Sequence, residues 1–257
     1  MTARPPGVVL AGLDIGGSAI KAGLADIDDG LLLGGLHSVP TPQPATPDAV
    51  IAACADLAKT LDADGPVGVG MPSVIQRGIV RTAANIDPAW IGCEGARRMS
   101  EALARPVVLL NDADAAGLAE MRWGAGRNTS GVVIMLTFGT GIGTALFNDG
   151  VLLPNTELGH LTLRGMDAEH WASARVRTAE KLDFAHWVER VNDYLAEMHR
   201  LFWPDVFILG GAVSARFAEF GPLLRSAAEL RPAHFAGQAG VLGAALAASG
   251  HGMARRS

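Results

Sequence analysis

The sequence is poor in cysteine, in aromatic residues and in positive charge. It has only two cysteines, Cys54 and Cys93, far apart and outside any CxxC spacing, which argues against a zinc cluster or a disulfide framework and fits two reduced thiols. Aromatic residues make up 5% of the chain while 49% of it is hydrophobic, so the core must come from Ala, Val, Leu, Ile and Gly, as in an α/β protein. With 21 Lys and Arg against 26 Asp and Glu the net charge is −5, which argues against a general nucleic-acid or anionic-membrane surface. Any anionic substrate must then be held by local geometry. No apolar run reaches about 18 residues without a charge or a break, and no basic-then-apolar leader opens the chain, so a soluble, cytoplasmic protein is expected. A GxxxxGK[ST] phosphate loop is also missing, and "GTGIG" opens an expected strand where a dinucleotide fingerprint needs a helix.

What is present is a pattern that occurs twice. Strands are expected over 8–15, 19–26 and 31–39, joined by Gly16-Gly17 and by "DIDDG", with the two glycines supplying the positive φ of a tight hairpin. A helix follows, capped by Thr46, with Pro47 in its first position and Val50, Ile51, Leu57, Ala58 and Leu61 on helical spacing. "PVGVGMP" reads as a buried strand, 94–104 as a helix, "PVVLLN" as a strand and "DADAAGLAEMRW" as a helix begun by an aspartate. At Gly131 the order restarts: "GVVIMLTFGTGIGTALFNDGVLLP" echoes "GVVLAGLDIGGSAIKAGLADIDDGLLLG". A helical region over 168–202, the strand "DVFILGG" and an Ala-rich helix over about 240–249 complete the second copy. Two sheet-and-helix lobes with a cleft are expected, one of residues 1–111 with 240–257 and one of residues 112–239.

Three glycine turns each follow an apolar strand: Gly16-Gly17-Ser18, Gly139-Thr140-Gly141-Ile142-Gly143 and Gly210-Gly211. Lacking a Cβ, such turns let a phosphate approach the backbone N–H groups. Asn111 and Asp112 stand where a buried strand passes into a helix, and Asp112 is either the helix cap or a base that takes the proton of an attacking hydroxyl. Glu157 and His160 in "NTELGHLTL" either share adjacent hydroxyls of a sugar or leave the histidine as a satisfied structural residue, and Glu169 and Asn85 are further polar groups, each flanked by small residues and a tryptophan, that by themselves read equally as solvated surface residues.

With these residues assembled, the chain resembles the ROK family of sugar kinases, from Leu13 to Leu246. "LDIGGSAIK" is similar to the family's first phosphate motif, "NDADAAGLAE" to its catalytic segment, "FGTGIG" to its second phosphate motif, "ELGH" to its sugar-contact motif and "ILGGAVS" to its adenosine-side turn. The resemblance implies an α/β, two-lobed actin-like ATPase (ribonuclease H-like) fold with duplicated domains and a central cleft. It implies Asp112 as the general base for the sugar's 6-hydroxyl and Asn85, Asn111, Glu157, His160 and Glu169 as sugar contacts. For the donor it implies Asp14, Gly16, Gly17, Ser18, Lys21, Gly139, Thr140, Gly141, Gly143, Gly210 and Gly211, with Asp14 toward Mg²⁺, directly or through water. Where many members carry a CxCGxxGCxE zinc motif, this chain reads "LTLRGMDAEHWAS", without cysteine, so zinc is not expected. That wording and the short length most resemble the polyphosphate-dependent glucokinase subgroup, whose donor is inorganic polyphosphate, often with ATP as a second donor.

Two departures stand beside the resemblance. The subgroup tends to be lysine-rich after "GGAVS", where this chain has "ARFAEFGPLL" with Arg216 alone, so the cations for a polyanion are sought among Lys21, Arg164, Arg175, Arg177, Lys181 and Arg216. The loop "GMPSV" has Ser73 where a second glycine is common. The expected partners are a small sugar, a phosphoryl donor and a second copy of the chain as a homodimer. The alternatives are an ATP-only hexokinase acting on glucose, mannose or an amino sugar, and a sugar-sensing regulator without catalysis. The regulator is disfavoured by the acidic charge and by the start of the first motif at Asp14, which leaves no room for a helix-turn-helix.

Overall fold

A computed structural model describes residues 7–84 and 86–250. Its contacts divide the chain into two compact units, one formed by the residues up to Trp123 together with those from Gln238 onward, the other by Gly124–Gly237.

In the first unit the apolar runs become β1 (Val9–Ile15), β2 (Ala19–Asp26) and β3 (Leu31–Pro40), an antiparallel meander to which β4 (Val67–Met71) and β7 (Val107–Asn111) add in parallel, giving the order β3-β2-β1-β4-β7. A two-stranded ribbon, β5 (Ile75–Gln76) and β6 (Ile79–Val80), follows β4. Helix α1 (Pro47–Ala58) starts where Thr46 accepts the Ala49 N–H, with Pro47 in the first turn. With α2 (Gly95–Leu103) it encloses a core that includes Leu13, Ile20, Val50, Cys54, Val69, Met71, Trp90 and Met99.

Helix α3 (Asp112–Trp123) packs along α8 (Ala239–Ala248), and α8 packs on β1 and β4. The contact is backbone to backbone. A Cβ at Gly68 would stand 1.7 Å from the Ala244 oxygen, and one at Gly243 would stand 1.6 Å from the Ala115 oxygen. This packing is why α3 groups with the first unit, whereas the sequence division at 111/112 assigns it to the other lobe.

The second unit repeats the topology. Strands β8 (Val132–Phe138), β9 (Ile142–Asn148) and β10 (Val151–Leu153) form the meander, β13 (Val206–Gly210) and β14 (Glu229–Pro232) add in parallel, and the order is β10-β9-β8-β13-β14. The region 168–202 is not one helix. It is α4 (Ala168–Ala172), α5 (Ala174–Ala179) and α6 (Phe184–Phe202), because Ser173 and Asp183 stop the preceding turn in extended conformation and accept the N–H groups of Val176 and His186. A short ribbon, β11 (Thr162–Leu163) with β12 (Met166–Asp167), precedes α4, and α7 (Phe217–Phe220) follows β13. Trp187 of α6 is fully buried edge-on against Phe138 and Phe220 and donates from Nε1 to the Ala172 oxygen at 2.9 Å.

Candidate active site

The first unit gathers its chemistry at the C-terminal ends of β1, β4 and β7, the edge where parallel sheets bind ligands. Asp14 stands beside Gly70, and Met71 beside Asn111, in register. A Cβ at Gly70 would lie 3.5 Å from Asp112 Cα and 3.8 Å from Asp14 Oδ1, so the two aspartates flank the end of β4. Burial pushes the Asp14 carboxyl upward, an effect that Lys21, its cross-strand partner, opposes. Gly240 gives Asp14 room against α8: a Cβ there would come within 2.6 Å of its carboxyl carbon.

The Gly16-Gly17-Ser18 turn is built differently from the sequence expectation. The positive-φ glycines of the described residues lie elsewhere, at Gly30 and Gly211 among others, and not at Gly16 or Gly17. Instead Ile15 pairs with Ile20, and the turn between them is wide enough that Gly16 N–H bonds the Ala19 oxygen at 2.9 Å. Its carbonyls are held from outside: Thr41 Oγ1 donates to Gly16 O at 2.6 Å, Gln43 Nε2 to Gly17 O at 3.3 Å and Thr41 N–H to Ser18 O at 3.1 Å. Fixing three carbonyls this way keeps acceptors from facing an incoming phosphate. Thr41 and Gln43 escaped the sequence reading because "TPQPATP" carries no motif and meets the turn only in the fold.

At the start of α3, Asn111 does the capping. Its Oδ1 accepts from Ala113 N at 2.8 Å and Asp114 N at 3.0 Å, and its Nδ2 donates to the Ser73 oxygen at 3.3 Å. Asp112 Oδ1 also accepts from Ala113 N at 2.8 Å. The cap therefore does not depend on Asp112, which is half-buried, whereas Asn111 is buried. The Ser73 hydroxyl is buried without a hydrogen-bond partner. Asn85 lies outside the described residues.

In the second unit the polar groups converge on Ile142, at the start of β9. Glu169 accepts the Ile142 N–H at 3.2 Å, and a Cβ at Gly141 would sit 2.2 Å from its carboxylate oxygen. Gly159 packs on the Ile142 carbonyl, where a Cβ would be 2.2 Å away. That contact seats the 3-10 turn Leu158–His160 beside the hairpin, helped by Tyr194 OH donating to Leu158 O at 3.1 Å and Leu158 N–H donating to Thr144 Oγ1 at 3.2 Å.

His160 Nδ1 is 2.9 Å from Asp167 Oδ2 and its Nε2 is 3.8 Å from Glu157 Oε2. The bond to Asp167 raises the His160 pKa against a smaller opposing effect of burial, and Glu169 and Glu157 add to the rise. Burial raises Glu157, offset by His160.

Gly211, at φ +84°, stacks on the end of β8: a Cβ would lie 2.4 Å from the Phe138 oxygen. The Gly210-Gly211 turn thus adjoins the Gly139–Gly143 hairpin, whose Gly139 N–H bonds the Gly141 oxygen at 3.0 Å and whose Gly139 oxygen accepts the Arg175 N–H at 3.0 Å. Nothing stands within 4 Å of a Cβ built at Gly139, so this backbone is open to a ligand. Of the basic candidates, Arg164 pairs with Asp193 at 2.8 Å and Arg216 with Glu219 at 2.6 Å.

The ROK family model matches residues 10–173. The chain is 44% identical over 237 residues to the polyphosphate glucokinase of Mycobacterium tuberculosis, a match that covers 92% of this chain and 89% of that one. Among solved structures, the inorganic polyphosphate/ATP-glucomannokinase of Arthrobacter sp. strain KM superposes with a TM-score of 0.91 at 44% identity, covering 94% and 98% of the two chains. A ROK family glucokinase from Streptomyces griseus, solved with glucose and AMPPNP, superposes at 0.79 with 26% identity over 93% and 98%. The duplicated sheet is that of the actin-like ATPase fold which these kinases have. Among the described residues no helix is long and apolar enough to cross a membrane.

Proposed function

We propose, from the premise that this chain belongs to the ROK family, that it is a glucokinase forming glucose 6-phosphate with inorganic polyphosphate, and also ATP, as donor. The observation that carries the reading is the match, over nearly the full length in both sequence and fold, to enzymes named for that donor and that sugar.

Asp112 is the base. It accepts the proton of the sugar's 6-hydroxyl as that oxygen bonds to the terminal phosphorus and the bond to the remaining phosphate chain breaks. Asn111 holds the start of α3 and so fixes where Asp112 points. Glu157, His160 and Glu169 take the sugar hydroxyls, carboxylates as acceptors and the imidazole through Nε2, while Asn85 and Asn111 complete the sugar set. The turns at Gly16–Ser18, Gly139–Gly143 and Gly210–Gly211, with Lys21 and Thr140, present N–H and charge to the donor.

Among the described residues no three His, Cys, Asp or Glu form a metal-holding group. A lone carboxylate such as Asp14, given room by Gly240, suits Mg²⁺, which keeps its waters and is held by one or two carboxylates plus substrate phosphates. Bound there, the ion would neutralise charge developing on the transferred group. A cytoplasmic homodimer completes the reading, with sedimentation as the check on the oligomer.

The test is glucose 6-phosphate formation by purified protein with Mg²⁺ and either polyphosphate or ATP as sole donor. Turnover with polyphosphate is expected. Turnover with ATP alone would replace the donor, and none with either would overturn the kinase.

A further inference from the structure

Two arginines of the second unit share one aromatic ring. The Arg177 guanidinium lies 4.1 Å from the Phe184 ring centroid and that of Arg216 lies 4.5 Å from the same ring. The ring face attracts each cation, but bringing two cations to one ring sets them against each other. Trp171, in the same unit, also carries two arginines, each with a carboxylate of its own. Arg190 and Arg164 flank it at 4.4 and 5.3 Å and pair with Glu180 at 2.5 Å and Asp193 at 2.8 Å.

At Phe184 only one of the two arginines has an ion-pair partner among the described residues. Glu219 engages Arg216 through both oxygens, at 2.6 and 2.7 Å, whereas the Arg177 Nε is buried without a hydrogen-bond partner. Arg175 and Lys181, on the same short segment, make no ion pair among the described residues. With Arg216, this segment sets four cations against the three carboxylates of Glu180, Asp183 and Glu219, a small local excess of positive charge on a chain whose net charge is −5.

The place of this excess is what gives it meaning. Helix α5, which carries Arg177, is tied to the phosphate hairpin by the bond from Arg175 N–H to the Gly139 oxygen. Arg216 ends the 3-10 turn Ala212–Arg216 that leaves Gly211. Phe184 packs on Trp187 and Phe220, and Trp187 packs on Phe138, the residue before Gly139. Ring, arginines and glycine turns thus form one packed assembly within the unit.

We propose that Arg177 and Arg216, braced on Phe184 beside the Gly139–Gly143 and Gly210–Gly211 turns, form a subsite for the tail of a linear polyphosphate, the phosphoryl units beyond the one transferred. The inference rests on the proposed donor. Guanidinium planes match phosphate oxygens bidentately, and stacking on a ring fixes them before the anion arrives, so less freedom is lost on binding. Glu219 sets the strength: it competes with the polyanion for Arg216 and keeps the empty subsite from accumulating more charge.

The test compares KM for long-chain polyphosphate, tripolyphosphate and ATP in wild type, R177Q, R216Q and E219Q. R225Q serves as a control that removes the same charge from an exposed pair with Glu189. R177Q is expected to raise KM for the long chain about tenfold, the loss of one charge-assisted contact, and to do less as the donor shortens. R216Q acts in the same direction, E219Q lowers the long-chain KM, and R225Q changes it less than about twofold. Equal effects of R177Q and R225Q, or an R177Q effect identical for all three donors, would overturn the subsite. Wild type without polyphosphate turnover would remove the donor itself, whereas polyphosphate turnover indifferent to R177Q would remove only the subsite.

Discussion

Asp167 occupies the residue before α4, where an aspartate ordinarily accepts first-turn N–H groups, yet it makes no capping bond and its carboxylate instead lies 2.9 Å from His160 Nδ1. Forgoing a cap costs about 1 kcal/mol. What the contact provides is a fixed imidazole. Nδ1 carries the proton and donates, and Nε2 is left toward Glu157. D167A is expected to mix the His160 tautomers and D167N to preserve Nδ1–H, since the amide oxygen still accepts. Nitrogen chemical shifts of the His160 ring read this without any turnover. Unchanged shifts in D167A would remove the positioning role.

The same contact has a pH signature. Glu157, Glu169 and Asp167 face the imidazole, and Asp167 contributes most to its raised pKa. A group whose pKa is higher folded than unfolded adds stability that is complete below its unfolded value, near 6.5, and is lost as pH rises through the folded value. The melting-temperature advantage of wild type over D167N should therefore be largest in mild acid and shrink above neutrality. An advantage that grows with pH would contradict it.

Asn111 caps α3 with one oxygen on two N–H groups and donates to the Ser73 oxygen, so N111A should destabilise the protein by about 1 kcal/mol, and N111D, which keeps the acceptor but loses the donor and buries a carboxylate against that oxygen, by at least as much. Denaturant unfolding gives both values. Equal stability of all three proteins would assign the cap elsewhere.

Backbone contact between α8 and its neighbours leaves no space for a methyl group. G243A and G68A would each drive a Cβ to within 2 Å of a carbonyl oxygen, so neither is expected to yield folded protein at wild-type levels. Soluble expression and circular dichroism decide. Native stability in G243A would mean that α3 and α8 can separate at little cost.

Local signals carried most of the fold. Thr46-Pro47, the aspartate opening "DADAAG" and the two GVV-led meanders each act within a few residues, and all appear where the chain predicts them. The family motifs likewise mark Asp14, Asp112, Glu157, His160 and Glu169. What stayed hidden depends on residues distant in sequence. Thr41 and Gln43 reach the Gly16 turn across about 25 residues of chain, and α3 joins the first unit only because α8 returns from the far end. The break at Ser173 was masked because Ala, Arg and Trp on either side favour helix while one capping hydroxyl decides. Asp167 drew no reading from the sequence, and only the folded ribbon β11–β12 brings it to His160.

The most direct test of the account is turnover of D112N with glucose and polyphosphate, set beside its calorimetric affinity for glucose. Turnover is predicted to fall by about 10²- to 10⁴-fold with affinity nearly unchanged, because the base acts only in the transition state while the sugar is held by other groups. Turnover close to wild type would contradict Asp112 as the base.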